Sequence, residues 1–332
     1  MDKIDIFTHF MPLRYLERLG EMVPRHIAVT AFPRLKTLWN EDARLHLIDQ
    51  FAGLRQVLSL ANPPLEAIAG PDETPVIARL ANDGLADVCR RHPDHFPAFL
   101  ASLPMNNVDA ALGEIDRAIG LGARGIQIFS NVAGEPLSLA KYRPIFAAMA
   151  RHDLPVWVHP MRTAEFADYP SESASESEIW FSFGWPYETT ASMTRLIYSG
   201  IFDELPDLKI ITHHMGGMIP YFAGKIDLGF KQIFFGTREK NPLAEGLKRR
   251  PRAYYEMLYG DTALNGEVAA TRCGHAFFKT EHTLFATDAP FDAEAGRGLI
   301  AGTIAAVEAL EISPEEKHAI FAGNARRLLK LS

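Results

Sequence analysis

Several short apolar runs in this chain end on an imidazole or a carboxylate. His9 follows residues 4–7, His159 follows residues 155–158, His213 and His214 follow residues 209–212, and Asp288 follows residues 284–287. Brought to one place, imidazole nitrogen and carboxylate oxygen suit a divalent metal such as Zn²⁺, Mn²⁺ or Fe²⁺. A metal in such a cup lowers the pKa of bound water or binds the oxygens of a substrate. Asp288 can ligate, carry a proton, or do both, and His214 can sit just outside a metal and move protons.

Residues this far apart meet only if the fold delivers them. Short apolar runs alternate with longer stretches of helical periodicity. The runs are residues 4–7, 57–60, 98–102, 125–129, 155–158, 209–212, 254–258 and 284–287. Helices are predicted over residues 75–91, 108–121 (closed by Gly122), 142–152, 188–199 (stopped by Gly200) and 314–330. Ser313 is the N-cap of the last, and Pro314 its first helical residue. Eight strands alternating with helices predict an α/β fold, a (β/α)8 TIM barrel spanning residues 1–332 as one domain. Catalytic groups then belong at the C-terminal ends of the strands, where His9, His159, His214 and Asp288 fall. A doubly wound open sheet is the competing fold, but no G-x-G-x-x-G follows the first strand and no G-x-x-x-x-G-K-[ST] occurs, so that reading lacks its usual phosphate loop. Two segments interrupt the rhythm. Residues 14–44 form an insertion after the first strand, and the Ser- and Glu-rich residues 162–187 form a lid or dimer contact after the fifth.

Composition narrows the class. The chain has 332 residues, 47% of them hydrophobic, and a formal net charge of −7. That balance argues against a general nucleic-acid surface, which would need clustered Lys and Arg, so a nucleic-acid partner is not expected. No apolar run is long enough for a membrane span, and the start, MDKIDIFTHF, does not read as a secretory leader. Two cysteines, Cys89 and Cys273, stand outside any metal or redox spacing. A reduced, cytoplasmic protein is expected, with any metal on His and carboxylates.

With 12 histidines, some end strands by chance. A lone His there is more often packed or on the surface than a ligand. His46, His92, His95, His152, His275, His282 and His318 are read that way, and His26 stays unassigned. For the four-residue set, chance must place every member at a strand end.

The sequence resembles the amidohydrolase superfamily, in the branch of aminocarboxymuconate-semialdehyde decarboxylase and related hydroxybenzoate decarboxylases. The matching pieces are DIFTHFMP near the start, ARLHLIDQ at 43–50, VHP at 158–160, WPYETTASMTRLIYSGIFDELPDLKIITHHMGGMIPYF at 185–222, ATDAPF at 286–291 and AGNARRLLKL at 322–331. The resemblance implies one divalent metal, usually zinc, held by His9, His159 and Asp288. It makes His214 the residue that activates water or relays a proton, and it implies a homodimer. Arg44 matches an Arg that binds a substrate carboxylate, a task that suits its fork. Lys225 stands where the family has an Arg contributed by the neighbouring subunit. Arg162 and Arg195 are weaker candidates for the same work. Trp180, Phe181, Phe183, Trp185 and Phe291 could line an aromatic pocket or be packing.

One position departs from the family. Phe7 stands where relatives have His or Glu. Residues two apart on a strand face the same way, so Phe7 and His9 both point into the cup. Phe cannot ligate, yet three protein ligands can still hold a metal. The leading expectation is a metal-dependent carboxy-lyase for a small unsaturated or aromatic acid, with His214 or Asp288 handling the proton. Hydrolysis or hydration by the same site is the second reading. A metal-free, non-catalytic relative, favoured by Phe7, is the third.

Overall fold

A computed structural model describes residues 1–226 and 246–331. Eight parallel strands follow one another around a barrel: β1 Lys3–His9, β2 Leu54–Ser59, β3 Phe99–Ser102, β4 Ala123–Phe129, β5 Val156–His159, β6 Ile210–Thr212, β7 Tyr259–Asp261 and β8 Thr283–Leu284. The chain just beyond β8 returns to β1. Ile6 N–H donates to the Phe285 carbonyl at 3.0 Å, Asp288 N–H to that of Phe7 at 3.1 Å, and His9 N–H to that of Ala289 at 2.8 Å. The bonds that draw the barrel together are thus neighbours of His9 and Asp288.

Helices cover the outside. Val108–Gly120 shows why they form where they do. The Asn107 side chain accepts the Ala110 N–H at 3.1 Å, a cap that contributes about 1 kcal/mol. Ala111, Ile115 and Ala118 then fall on one buried face. Inside the barrel, Ile4, Ile6, Phe7, Val57, Leu100, Trp157, Ile211 and Leu284 form one buried cluster, continued by Ala322, Ala325 and Leu328. Trp157 fits because its neighbour is Gly125, where a Cβ would lie 2.6 Å from the indole. The register of β1 slips between Asp5 and Thr8, a bulge that lets the consecutive Ile6 and Phe7 both join this cluster.

Three elements depart from the predicted ones: the eighth strand, read over residues 284–287, is the shorter Thr283–Leu284, and the other two differ more. The seventh strand is not residues 254–258. That apolar stretch completes the helix Pro251–Tyr255, and its tyrosine hydroxyls bond Asp203 at 2.7 Å and Thr194 at 2.8 Å. The true β7 has three residues with Gly260 in the middle, too short for an apolar run to announce it. The predicted helix 314–330 is three pieces: Pro314–His318, a wide turn at Ala319–Gly323, and Asn324–Leu329. It widens where the Ile320 carbonyl turns aside to accept the Phe285 N–H at 3.1 Å. Its Ser313 cap is present, paired with Glu316 as a capping box.

The first insertion contains the helices Leu13–Met22 and Glu41–Ile48. The segment after β5 passes through bends and a wide helical turn, Trp180–Gly184, into the helix Trp185–Tyr198. Among the described residues no helix is long and apolar enough to cross a membrane.

After β6 the backbone turns sharply. His214 and Met215 adopt φ of 52° and 51°, and Gly217 has φ 61° with ψ −113°. Left-handed φ in non-glycine residues is sparsely populated and gathers at functional sites. At Gly217 a Cβ would meet the Pro186 carbonyl oxygen at 2.4 Å. Gly217→Ala is therefore expected to destabilise the fold by about 2 kcal/mol or more, read from the urea midpoint. A shift below about 0.5 kcal/mol would contradict this account of the turn.

Candidate active site

The C-terminal rim of the barrel gathers the histidines from three strands around one carboxylate. His9 ends β1, His159 ends β5, and His213 and His214 follow β6. Asp288 stands at the centre. Its Oδ1 lies 2.9 Å from His9 Nε2 and 3.5 Å from His213 Nε2, and its Oδ2 lies 3.6 Å from His214 Nε2. Asp288 holds φ 62°, another left-handed non-glycine residue at the site. Ligand atoms within 4.8 Å of one another form two triads, His9–His159–Asp288 and His213–His214–Asp288, which share that carboxylate.

The tautomers follow from the partners. His9 Nδ1 faces the Leu60 carbonyl at 3.1 Å, and His159 Nδ1 faces the Pro160 carbonyl at 2.7 Å. A carbonyl only accepts, so each Nδ1 carries a proton and Nε2 is the nitrogen left to face the cup. That is how a metal-ligating His is normally held. Burial, then the neighbouring His213, keep His159 well below the usual imidazole range, and burial with His213 lowers His214 as well. Burial would push Asp288 up, but the facing imidazoles of His213, His214 and His9 hold it well below the usual carboxylate range. A neutral His159 beside an ionised Asp288 is the form a divalent cation needs, so the set of His9, His159 and Asp288 fits one.

Beneath the rim lies a second carboxylate, Asp261, at the end of β7. Its Oδ2 lies 2.5 Å from His213 Nδ1, and its Oδ1 accepts the backbone N–H of His214 at 3.0 Å. Asp261 therefore fixes an imidazole and the strained turn together. The expectation that Phe7 points into the cup agrees with the structure. Its ring packs 4.2 Å from that of His213, 4.9 Å from His9 and 5.9 Å from His159.

Arg44 is not at the cavity. It is fully buried, with Nε donating to the Thr37 carbonyl at 2.7 Å, Nη1 to Gln56 Oε1 at 3.0 Å and Nη2 to the His9 carbonyl. With its fork taken by the protein, it supports the end of β1 and does not grip a ligand. Burial lowers its pKa to about 10. Gln56 in turn donates to Asp5, whose carboxyl is pushed up to about 7 by burial and also accepts from Thr287. Lys225 is exposed and borders a separate groove with Arg195 and Tyr255, so one chain does not bring it to the histidines.

Above the cup is a cavity of about 370 Å³, lined by His9, His159 and Asp288 at its floor and by Phe32, Trp180, Phe181, Trp185 and Phe291 on its walls. Phe183, the other aromatic candidate, is exposed outside that lining. Trp185 packs edge-on at 5.2 Å to His159, and Phe291 lies 5.4 Å from His9. Arg162 is the Arg or Lys among the described lining residues, and its Nη1 lies 3.2 Å from Glu188. A larger, open groove of about 1190 Å³ runs past Arg55, Arg117 and Lys330, away from every residue of the cup.

Sequence reasoning passed over three residues here. His213 was set aside for its neighbour, although the tandem at the strand end was the available signal. Asp261 was hidden by the misplaced seventh strand. His26, left unassigned, lines the cavity, with Nδ1 accepting the Ala28 N–H at 3.1 Å. The other histidines lie elsewhere. His92, His95 and His152 face Glu41, Asp49 and Asp116, His275 faces Thr280, His282 stacks on Tyr259, and His46 and His318 are exposed.

Arg44→Met leaves three buried acceptors unpaired and should cost about 3 kcal/mol in urea denaturation. Native stability with a raised KM would instead return Arg44 to the substrate. Burial lowers His213, but the carboxylates of Asp261 and Asp288 outweigh it and raise it to about 10 in the metal-free site. The folded value thus exceeds the unfolded one of roughly 6.5. Its contribution to stability is full below about pH 6.5 and is lost as pH rises toward 10. Chelator-treated protein should lose thermal stability over that window, and Asp261→Asn should flatten the decline. An equally steep decline in that variant would contradict the assignment.

The whole chain matches known proteins. The amidohydrolase family model matches residues 4–331. The gamma-resorcylate decarboxylase of Rhizobium radiobacter is 32% identical over 99% of this chain and 98% of its own length. A crystal structure of 2,6-dihydroxybenzoate decarboxylase complexed with 2,6-dihydroxybenzoate superposes with a TM-score of 0.80 and 28% identity, covering 100% of both chains. The dihydroxybenzoic acid decarboxylase of Polaromonas sp. JS666, solved with bound manganese and the inhibitor 2-nitroresorcinol, gives 0.78 and 27%, covering 99% of this chain and 97% of that one. A barrel that ends its strands on these residues, matched over nearly its full length, belongs to the amidohydrolase family.

Proposed function

We propose that this protein is a metal-dependent decarboxylase of a small aromatic carboxylic acid of the hydroxybenzoate type. The observation that carries the reading is the cup itself: imidazoles with Nε2 turned toward an ionised Asp288, at the floor of a cavity walled by aromatic rings. The cavity's volume lies in the range of small-molecule sites, and its walls suit a flat ring.

His9, His159 and Asp288 would hold the ion. A bound divalent metal supplies positive charge that orients the acid's oxygens and withdraws electron density from the ring. The imidazole-rich set suits zinc, and the Polaromonas relative carries manganese. The rest falls to the chain's own groups. Loss of CO₂ from an aromatic acid needs a proton on the ring carbon that carries the carboxylate. The carbon–carbon bond then breaks, CO₂ leaves, and the electron pair returns to the ring. His214 and Asp288, 3.6 Å apart, are placed to hold and pass that proton. Arg162 at the cavity wall is the cation available to a substrate carboxylate or phenolate. Trp180, Phe181 and Trp185 keep water from the ring. Fixed charges in such a sheltered site supply much of the rate.

Two finer points are part of the proposal: a cytoplasmic location, and a homodimer in which Lys225 lies beside the partner's site. The test is CO₂ release against ¹⁸O-water incorporation over hydroxybenzoates, muconates and lactones, with chelated and metal-restored enzyme. Release of CO₂ from a hydroxybenzoate, abolished by chelation and by His159→Ala with the fold intact, is expected. Water incorporation without CO₂ release would assign hydrolysis instead, and full activity in His159→Ala would overturn the site.

A further inference from the structure

The first insertion supplies a polar group that the proposed chemistry does not use. His26 precedes a short helical turn, Ile27–Thr30, and lines the cavity above the cup together with Ile27 and Phe32 of the same segment. Its Nδ1 accepts the Ala28 N–H at 3.1 Å. A nitrogen that accepts carries no proton, so the ring is neutral and its proton sits on Nε2. Partial burial lowers the imidazole's pKa and favours the same form. Nε2 has no hydrogen-bond partner among the described residues and is not closed off by them. The bond at Nδ1 also holds the ring in place, so the Nε2–H is an uncharged donor fixed before any ligand arrives.

The surroundings say what such a donor meets. The rings of Phe32 and Phe291 lie 5.1 Å apart, and Phe291 lies 5.4 Å from His9. An aromatic wall thus runs from the cup to the first insertion. A flat acid with its carboxylate at the cup and its face on that wall turns its far edge toward the insertion. Asn62, just beyond β2, lines the same cavity, and its buried Oδ1 is also without a partner. A donor and an acceptor are therefore both unfilled, and a hydroxyl can answer either. A second carboxylate would find, among the described lining residues, only the Arg162 cation, which already faces Glu188 at 3.2 Å.

We propose that His26 is a specificity residue of this site, its Nε2–H donating to a ring hydroxyl oxygen of the bound acid. The inference rests on the reading of the cavity as the site of a hydroxybenzoate-type acid. It adds which substituent the site selects and which side chain selects it: one carboxylate at the cup, and a hydroxyl beside the first insertion.

The test is ligand binding to the zinc-loaded protein by isothermal titration calorimetry. The probes are nitro analogues, which cannot lose CO₂: 2-nitrophenol, and the four nitrobenzenediols that add one hydroxyl to it. His26→Asn keeps a side-chain oxygen to accept the Ala28 N–H, since Asn is a good N-cap, and lacks the outer nitrogen. Its thermal midpoint should therefore be unchanged. At least one diol should bind more tightly than 2-nitrophenol. His26→Asn should weaken that diol by roughly three- to tenfold, the worth of one neutral hydrogen bond, and 2-nitrophenol by less than about twofold. No gain from any added hydroxyl, equal losses across the five ligands, or a gain that survives in His26→Asn overturns the assignment and leaves the reading of the cavity intact. An unmutated protein that binds none of the five contradicts both. Should His26→Asn fail to fold, the unmutated zinc-loaded protein is labelled with ¹⁵N-histidine. The His26 Nε2 resonance should then move with the tighter diol and stay in place with 2-nitrophenol, and a resonance that ignores the diol overturns the assignment.

Discussion

The carboxylate of Asp288 is drawn on by three imidazoles at once, those of His9, His213 and His214. Burial alone would protonate such a group, and those contacts keep it ionised. Much of the rim's architecture serves to hold this anion and its partners in place. The backbone of Asp288 is pinned to Phe7, that of His9 to Ala289, and the imidazoles of His9, His159 and His213 are locked at their far nitrogens by the carbonyls of Leu60 and Pro160 and by Asp261. A cation is the complement such a cluster lacks, and an aromatic acid is the ligand its cavity fits.

That arrangement has a cost, carried by the layer beneath. His214, Met215 and Asp288 sit at left-handed φ, each a conformation that costs of order 1–3 kcal/mol. Asp261 grips the β6 turn by side chain and backbone together, and Gly217 lets it pass the Pro186 carbonyl. On the other flank, Arg44 links the first insertion to the end of β1, and Asp5 and Gln56 continue the network to Thr287. The positive charge of Arg44 serves the scaffold, and among the described lining residues Arg162 is the cation at the cavity.

The barrel was legible because its strands are apolar runs and its helices carry regular stripes, caps and glycine stops. The strand-end placement of His9, His159 and Asp288 was legible for the same reason. What stayed hidden depended on tertiary context. The three-residue β7 has no pattern of its own, so Asp261 had no strand to end. His213 and His214 are adjacent and chemically alike, and only the turn geometry separates the buried one on Asp261 from the one nearer the cavity. Arg44 illustrates the reverse. Its motif match was real, but burial and three acceptors decide what its guanidinium does here.

The measurement closest to the central claim is a crystal structure of the Mn²⁺-loaded protein, with the ion located by anomalous scattering. This account predicts one ion on Asp288 with Nε2 of His9 and His159 at bonding distance, and His214 free to face the substrate. An ion bound away from Asp288, or a cup that stays empty at saturating Mn²⁺, would contradict it.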